Sequence, residues 1–345
     1  MRGSHCRILG FSLVVLFAAV VSVAAASRPP AAHDIRPGAG VSEEVWLSKY
    51  FPAIAGTAVD TKVYVMNGLK PGPTALILGG THGDEIAGIM AAVLLVERAV
   101  VDSGRLIVIP HTNNSASTYA GPGLPTRIEM RTPSGLRYFA YGSRRTNPID
   151  QEPDPEAFFH YPTGYKWPGE EARNLDRVHP GKPDGNLTQQ LAHALFQLIT
   201  VEEVGIAIDL HEAGPGSRLA YMIIASPKST DLGALAVVNL ETNGVRMQLE
   251  QSSSDRGLSH REWGDRTPAD AFVVETANPG QARDVTGADV VNDPANPLNY
   301  RVGIQLATVQ ALLEAYADIR GGTVGISGLP TMAELKTNGI GAYLR

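Results

Sequence analysis

The sequence predicts an α/β protein built from parallel crossover units, and three consecutive stretches carry that expectation. Thr74 to Leu78 is a short apolar run ended by Gly79 and Gly80, and Glu85 to Arg98 has the length and Ala/Leu/Met content of a helix. Arg105 to Ile109 (Arg-Leu-Ile-Val-Ile) then reads as a strand closed by Pro110. Strand, helix and strand in that order make a parallel crossover, which presents binding groups at the carboxyl ends of its strands. His82 falls at such an end.

The chain has 345 residues, 43% of them hydrophobic, enough for one large α/β domain or two small ones with a substantial core. Its net charge of -6 and the lack of any basic block point away from nucleic acid. Residues 1–26 stand apart. Arg2 and Arg7 give a positive start, Ile8 to Val23 is apolar, and Ala24-Ala25-Ala26 offers small residues for cleavage before Ser27. That pattern is an export signal and predicts a periplasmic or secreted protein with no membrane association once processed, an uncleaved anchor being the competing reading. The single cysteine, Cys6, lies in this segment, so metal ligands in the mature chain must come from histidines and carboxylates.

Residues 27–45 are rich in Pro, Ala and Gly and read as a linker. The folded domain is expected over 46–320, with 321–345 a weakly patterned tail. Thr61 to Met66 alternates into a strand that turns at Asn67-Gly68. From His111 to Glu171 no periodicity is sustained, which predicts a long loop insertion at 111–171 serving as a lid or pocket wall. Leu187 to Val201 restores helical spacing. Ile206 to Leu210, Leu219 to Ala225 and Ala271 to Val274 read as strands, and Arg301 to Ile319 as a closing amphipathic helix.

His82 and Glu85, three apart where a strand becomes a helix, can converge on one cation, Gly83 supplying backbone freedom between them. Capping of the helix by the same two residues is the alternative. The strand Ile-Asp-Leu-His delivers His211 to another carboxyl end. Two imidazoles and a carboxylate leave a fourth tetrahedral position for water, the open arrangement of a catalytic zinc. Asp209 lies on the face of His211 and can orient an imidazole or serve as a strand-end acceptor. Glu212 faces the other way and is expected to be solvated or paired. Phe-Val-Val-Glu-Thr brings Glu275 to a third strand end, where it can act as general base beside an activated water. Arg177, in Arg-Asn-Leu-Asp-Arg-Val-His-Pro-Gly, offers a planar fork for a carboxylate or an oxyanion.

The order Gly-Gly-Thr-His-Gly-Asp-Glu, Asn-Leu-Asp-Arg-Val-His-Pro-Gly, Ile-Asp-Leu-His and Val-Glu-Thr resembles the zinc carboxypeptidase-like superfamily, and most closely the succinylglutamate desuccinylase/aspartoacylase family. The resemblance runs from Thr61 to Ile319. It implies a mixed, mostly parallel twisted eight-stranded sheet flanked by helices, one Zn2+ on His82, Glu85 and His211, and Glu275 as general acid/base. It also implies hydrolysis of an amide bond in a small acylated amino acid, with a metallocarboxypeptidase acting on exported or cell-wall peptides, or a non-catalytic zinc-containing binding protein, as alternatives. The substrate side is expected to involve Asn174, Asp176 and Arg177. The second arginine of the family site, which polarises the scissile carbonyl, is sought at Arg144 or Arg145. In two respects the sequence departs from the pattern. Asn174-Leu175-Asp176-Arg177 stands where the family reads Asp-Leu-Asn-Arg, so an acid replaces the amide beside Arg177 and favours an amino or hydroxyl group over a carboxylate. The tail is also too short for a β-rich C-terminal domain, which leaves the 111–171 insertion to wall the pocket.

Overall fold

In the computed structural model, residues 28–121, 123–282 and 288–345 are described. The expected export signal lies outside them. The strands are β1 Glu43–Trp46, β2 Lys62–Asn67, β3 Lys70–Gly79, β4 Val100–Ile109, β5 Arg127–Thr132, β6 Gly135–Ala140, β7 Ala157–Phe159, β8 Lys166–Pro168, β9 Val204–Ala213, β10 Met222–Ala225, β11 Gln248–Gln251, β12 Asp270–Ala277 and β13 Gly325–Ser327. The helices are α1 Ile86–Arg98, α2 Pro148–Gln151, α3 Leu187–Val201, α4 Thr230–Thr242, α5 Ser259–Arg266, α6 Leu298–Arg320 and α7 Met332–Asn338. None of these helices is long and apolar enough to cross a membrane.

Eight strands run side by side in the order β1-β2-β4-β3-β9-β12-β10-β11, and β13 adds a ninth by pairing with the start of β4. The centre, β4-β3-β9-β12, is parallel, while β1, β2 and β10 pair antiparallel toward the flanks. Central strands are apolar on both faces because both are covered. Ile77, Val108, Ile208 and Val274 join the core shared with α1, α4 and α6. Leu76, Leu78, Ile107 and Ala207 pack instead with Leu191, Leu195 and Leu198 of α3 and with Trp263 of α5.

Helix α1 is buried from Ile86 to Glu97 and lies flush on the sheet. A Cβ at Gly79 would stand 2.5 Å from the carbonyl oxygen of Gly88, and one at Gly88 would stand 2.4 Å from that of Leu210. Both glycines therefore permit a helix-to-strand approach that any side chain would block.

Three expectations need correction. The 111–171 insertion is not a structureless loop: β5 and β6 form one hairpin and β7 and β8 another. Arg127-Ile-Glu-Met-Arg-Thr alternates exposed and buried residues, but over too few positions to stand out. Its anchor is Arg137, whose guanidinium meets the buried Glu97 carboxylate at 2.7 and 2.9 Å. The 321–345 tail is likewise folded, with β13, α7 and the buried Leu335, Ile340 and Leu344. Residues 28–42 contain no helix or strand, yet they pack on the domain: His33 stacks on His111 at 3.6 Å and the Gly38 amide donates to Val96 at 3.0 Å.

Candidate metal and catalytic site

Strands β3, β9 and β12 end on the same side of the sheet, and their ends carry the site. His82 follows β3, Glu85 immediately precedes α1, and His211 and Glu275 face each other as register partners on β9 and β12. His82 Nδ1 lies 2.7 Å from Glu85 Oε1, and His211 Nδ1 lies 2.9 Å from Glu85 Oε2. All three side chains are buried, and their ligand atoms fall within 4.8 Å of one another. Two imidazole nitrogens and a carboxylate, each turned toward a common point, fit a zinc ion.

The outer nitrogens of the two imidazoles are oriented from behind, as metal-ligating histidines require. His82 Nε2 is 2.9 Å from Asn174 Oδ1, and His211 Nε2 is 3.0 Å from Asp209 Oδ2, whose other oxygen accepts from the Thr81 hydroxyl at 2.8 Å. Asn174 is in turn fixed by donating to Glu171 Oε2 at 2.6 Å. Asn174 is thus fully buried behind His82 and touches no substrate space, contrary to its expected place on the substrate side.

Glu85 does not cap its helix. Its oxygens receive the Gln281 side-chain amide at 3.0 Å and the Glu212 backbone amide at 3.1 Å. The helix N-terminus is served by Glu212, which accepts from the Ala87 amide at 2.9 Å and pairs with the buried Arg301. Glu212 is therefore buried and paired, not solvated. The left-handed torsion of this turn sits at Gly80, with φ 69°, not at Gly83. Gly83 is required for space, because a Cβ there would stand 2.7 Å from the Ala116 carbonyl oxygen.

The electrostatics follow from burial and proximity. Burial pushes Glu275 up to about 8, with the Glu85 carboxylate adding to the rise and His211 opposing it. Its Oε2 has no hydrogen-bond partner among the described residues. For His211 burial opposes the charged form, but Asp209 and Glu85, one at each nitrogen, outweigh it and hold its pKa well above the ordinary value. His82 is lowered, chiefly by burial.

An open cleft of about 300 Å³ leads to these groups, lined by His82, Arg144, Asp176, Arg177, His211 and Glu275 among others. A larger groove of about 530 Å³ lies against α4 and α6, far from this chemistry. Of the two arginine candidates, Arg144 faces the site, with Nη1 3.9 Å from Glu85 Oε1. Arg145 turns away to pair with Glu171, so the structure does not support a role for it at the reacting centre. Asp176 Oδ1 accepts from the Ser259 amide at 2.8 Å, and its Oδ2 lies 3.1 Å from Arg177 Nη1. Burial works against the charged form of Asp176, but His211 and Arg177 hold it well below the usual carboxylate range. Arg177 also reaches toward Glu171 at 3.7 Å and stacks over Trp167 of β8 at 4.9 Å.

Sequence reasoning missed Gln281 and His260 at this site and misplaced Asn174. The Asn278-Pro-Gly-Gln turn that delivers Gln281 was a visible turn signal next to β12, whereas His260 sits on α5, a polar stretch with no apolar period.

No family profile matches the chain. A curated protein, the N-alpha-acetyl-L-2,4-diaminobutyric acid deacetylase of Halomonas elongata, is 30% identical over 145 residues, a match covering 41% of this chain and 29% of that protein. The matched stretch is thus under a third of that relative's length. Among solved structures, a succinylglutamate desuccinylase/aspartoacylase from Rhodobacter sphaeroides overlaps 87% of this chain and 70% of its own, with 20% identity and a TM-score of 0.46. The product-bound ectoine utilization protein EutE from Ruegeria pomeroyi overlaps 80% and 65%, with 20% identity and a TM-score of 0.48. The tripeptide-bound cell shape determinant Csd4 from Helicobacter pylori overlaps 79% and 57%, with 13% identity and a TM-score of 0.47. With its four motifs meeting at one cleft and a deacetylase of the same kind as its curated relative, the chain is similar to the succinylglutamate desuccinylase/aspartoacylase family.

Proposed function

We propose that this chain is an exported, zinc-dependent hydrolase that cleaves the amide bond of a small N-acylated amino acid. The observation that carries the reading is the convergence of His82, Glu85 and His211 within 4.8 Å of one another, with Glu275 in register beside His211 and one of its oxygens unpartnered among the described residues. Zinc bound there would supply Lewis acidity, making water a better acid and polarising a carbonyl.

Every other part is played by the chain's own groups. Glu275 accepts a proton from the attacking water and returns it to the departing nitrogen, and its raised pKa suits both acts near neutral pH. Arg144 faces the same space and stabilises the oxyanion as the carbonyl becomes tetrahedral. Asn174 and Asp209 hold the two imidazoles in the tautomer that leaves Nδ1 free for the metal. The deacetylase relative supports the deacylase reading over peptide cleavage. A carboxypeptidase acting on exported peptides is the second reading, and the open cleft favours it to the extent that a longer chain could enter.

The test is metal analysis of the purified protein, followed by turnover of acyl amino acids and of peptides with free and amidated C-termini. Zinc near one equivalent with hydrolysis of acyl amino acids supports the reading. Peptide cleavage that requires a free C-terminus replaces it with the carboxypeptidase, and bound zinc with no hydrolysis across the panel leaves a binding protein. Export rests on residues 1–26 and is tested by the N-terminal sequence of protein recovered from periplasm or medium, which should begin near Ser27.

A further inference from the structure

We propose that the cleft holds an apolar subsite for the side chain of the departing amino acid, floored by Ile224 and Val273 and walled by Leu219 and Leu258. The inference rests on the hydrolase reading above and names the class of amino acid released. It begins with the two faces of β10 and β12. Ile223, Ala225, Phe272 and Val274 turn to the face covered by α4 and α6 and join that core. On the opposite face Ala271 still packs with Trp263 of α5. Val273, two residues further along that face, does not. It forms a separate small cluster with Met222 and Ile224, against which Leu219 packs. Ile224, Val273, Leu219 and Leu258 all line the cleft. Ile224 and Val273 are nearly covered, whereas Leu219 and Leu258 stay partly exposed and hold apolar area open to water. An apolar group of a ligand lodged there would remove that area from water.

Register decides which part of the substrate lies there. Strand β12 runs between β9 and β10, so Glu275 has His211 as its partner on one flank and Met222 on the other, while Val273 faces Ile224. The proposed metal ligands thus occupy one side of Glu275 and the apolar cluster the other. Val273 precedes Glu275 by two residues on the same face, about 6 to 7 Å along the strand. In the hydrolase reading Glu275 returns its proton to the departing nitrogen, which sets that nitrogen beside it. The carbon bonded to that nitrogen carries the side chain, and a side chain directed away from the metal ligands runs toward Ile224 and Val273. The arginines lining the cleft are engaged elsewhere: Arg218 pairs with Glu250, Arg177 lies 3.1 Å from Asp176, and Arg144 lies 3.9 Å from Glu85. An acidic side chain would therefore find no unengaged arginine among the described residues of the cleft. The substrate class is an N-acyl amino acid whose own side chain is aliphatic.

The test uses the zinc-loaded full chain with N-acetyl-leucine and N-acetyl-asparagine, whose side chains match in shape and differ in polarity. N-acetyl-alanine and N-hexanoyl-alanine lengthen the acyl side instead. Wild type should prefer leucine to asparagine in kcat/KM by about tenfold or more. The ratio should fall toward one in Leu219→Asn and in Leu258→Asn, with Leu219→Met and Leu258→Met retaining most of it. Equal turnover of the leucine and asparagine compounds by wild type, or an undiminished ratio in both asparagine variants, overturns the subsite while the hydrolase reading stands. A preference for N-hexanoyl-alanine over N-acetyl-alanine that those variants abolish also overturns it, because the apolar wall then serves the acyl chain. Should none of the four compounds be cleaved, the hydrolase reading fails for N-acyl amino acids, and calorimetry with free leucine and free asparagine decides the subsite by itself. Leucine-selective binding that weakens in the asparagine variants upholds it, and equal or absent binding overturns it. Both leucines are partly exposed and lie on separate segments, so one variant keeps the test open if the other fails to fold.

Discussion

Glu275 and His211 are paired residue for residue across β12 and β9, so the parallel register of two buried strands fixes the distance between the proposed proton carrier and a proposed metal ligand. The hydrogen-bonded ladder, not a loop, sets that geometry, and it predicts a clean separation of the two functions. Glu275→Gln should retain zinc at the wild-type level and lose roughly 10² to 10⁴ in kcat, whereas His211→Ala should lose both metal and turnover. Metal analysis and steady-state kinetics on the same preparations check this, and normal turnover by Glu275→Gln would remove it from the mechanism.

The same glutamate makes a stability prediction with a definite sign. Its pKa rises from 4.5 to about 8 in the folded chain, so the native state holds the proton more tightly than the unfolded state. The resulting stabilisation is fully present below pH 4.5 and is lost as pH rises through about 8. Glu275→Gln lacks this dependence. In chelator-treated protein, its melting temperature should therefore gain on wild type steadily from pH 5 to pH 8, and a constant gap across that range contradicts the burial argument.

Metal affinity should depend on side chains that never touch the ion. Removing the acceptor behind either imidazole, in Asn174→Ala or Asp209→Ala, should weaken zinc binding by roughly 10- to 100-fold. Affinity should also fall as pH drops, since Asp209 and Glu85 favour protonated His211, and that proton must leave Nδ1 before a metal can bind there. Competition with a chromophoric chelator reads both effects.

The neighbouring arginines should behave differently. Arg144→Ala should lower kcat/KM by about tenfold or more with little change in melting temperature, because Arg144 faces the cleft. Arg145→Ala should spare catalysis and cost stability, because its partner is Glu171, the residue that holds Asn174. Equal catalytic losses would place both at the reacting centre.

For the C-terminal segment, Leu335→Ala should cost about 2 to 5 kcal/mol of folding stability, as expected for truncating a fully buried leucine. Denaturant unfolding measures it, and a loss well under 1 kcal/mol would mean that this segment is not part of the core.

Much of this was legible in the chain because strand ends announce themselves. An apolar run that stops at His or Glu locates a side chain at the rim of a parallel sheet, which is why the sequence alone places His82, His211 and Glu275 at one rim. Helix α3 was read at Leu187–Val201 because its leucines recur at helical spacing and Asn186 caps it. What escaped was encoded at long range or in short pieces. Nothing local says that Asn174 reaches back to His82, or that Glu212 meets Arg301 across the domain. Helix α4 begins Thr-Asp-Leu-Gly and is only partly buried, so its apolar stripe is faint. In the tail, Thr331 and Glu334 form a capping box that reads as a helix start, but the glycines around it obscured the signal.

Gly79 lets α1 sit against β3 and Gly88 lets it sit against β9, with backbone nearly touching backbone, and the second contact also sets where Glu85 ends up relative to His211. A methyl group at position 88 would lift the helix and spread the proposed metal ligands from underneath. The centre therefore doubles as a strain gauge for the interior: a Gly88→Ala chain should fail to chelate although every donor atom is retained.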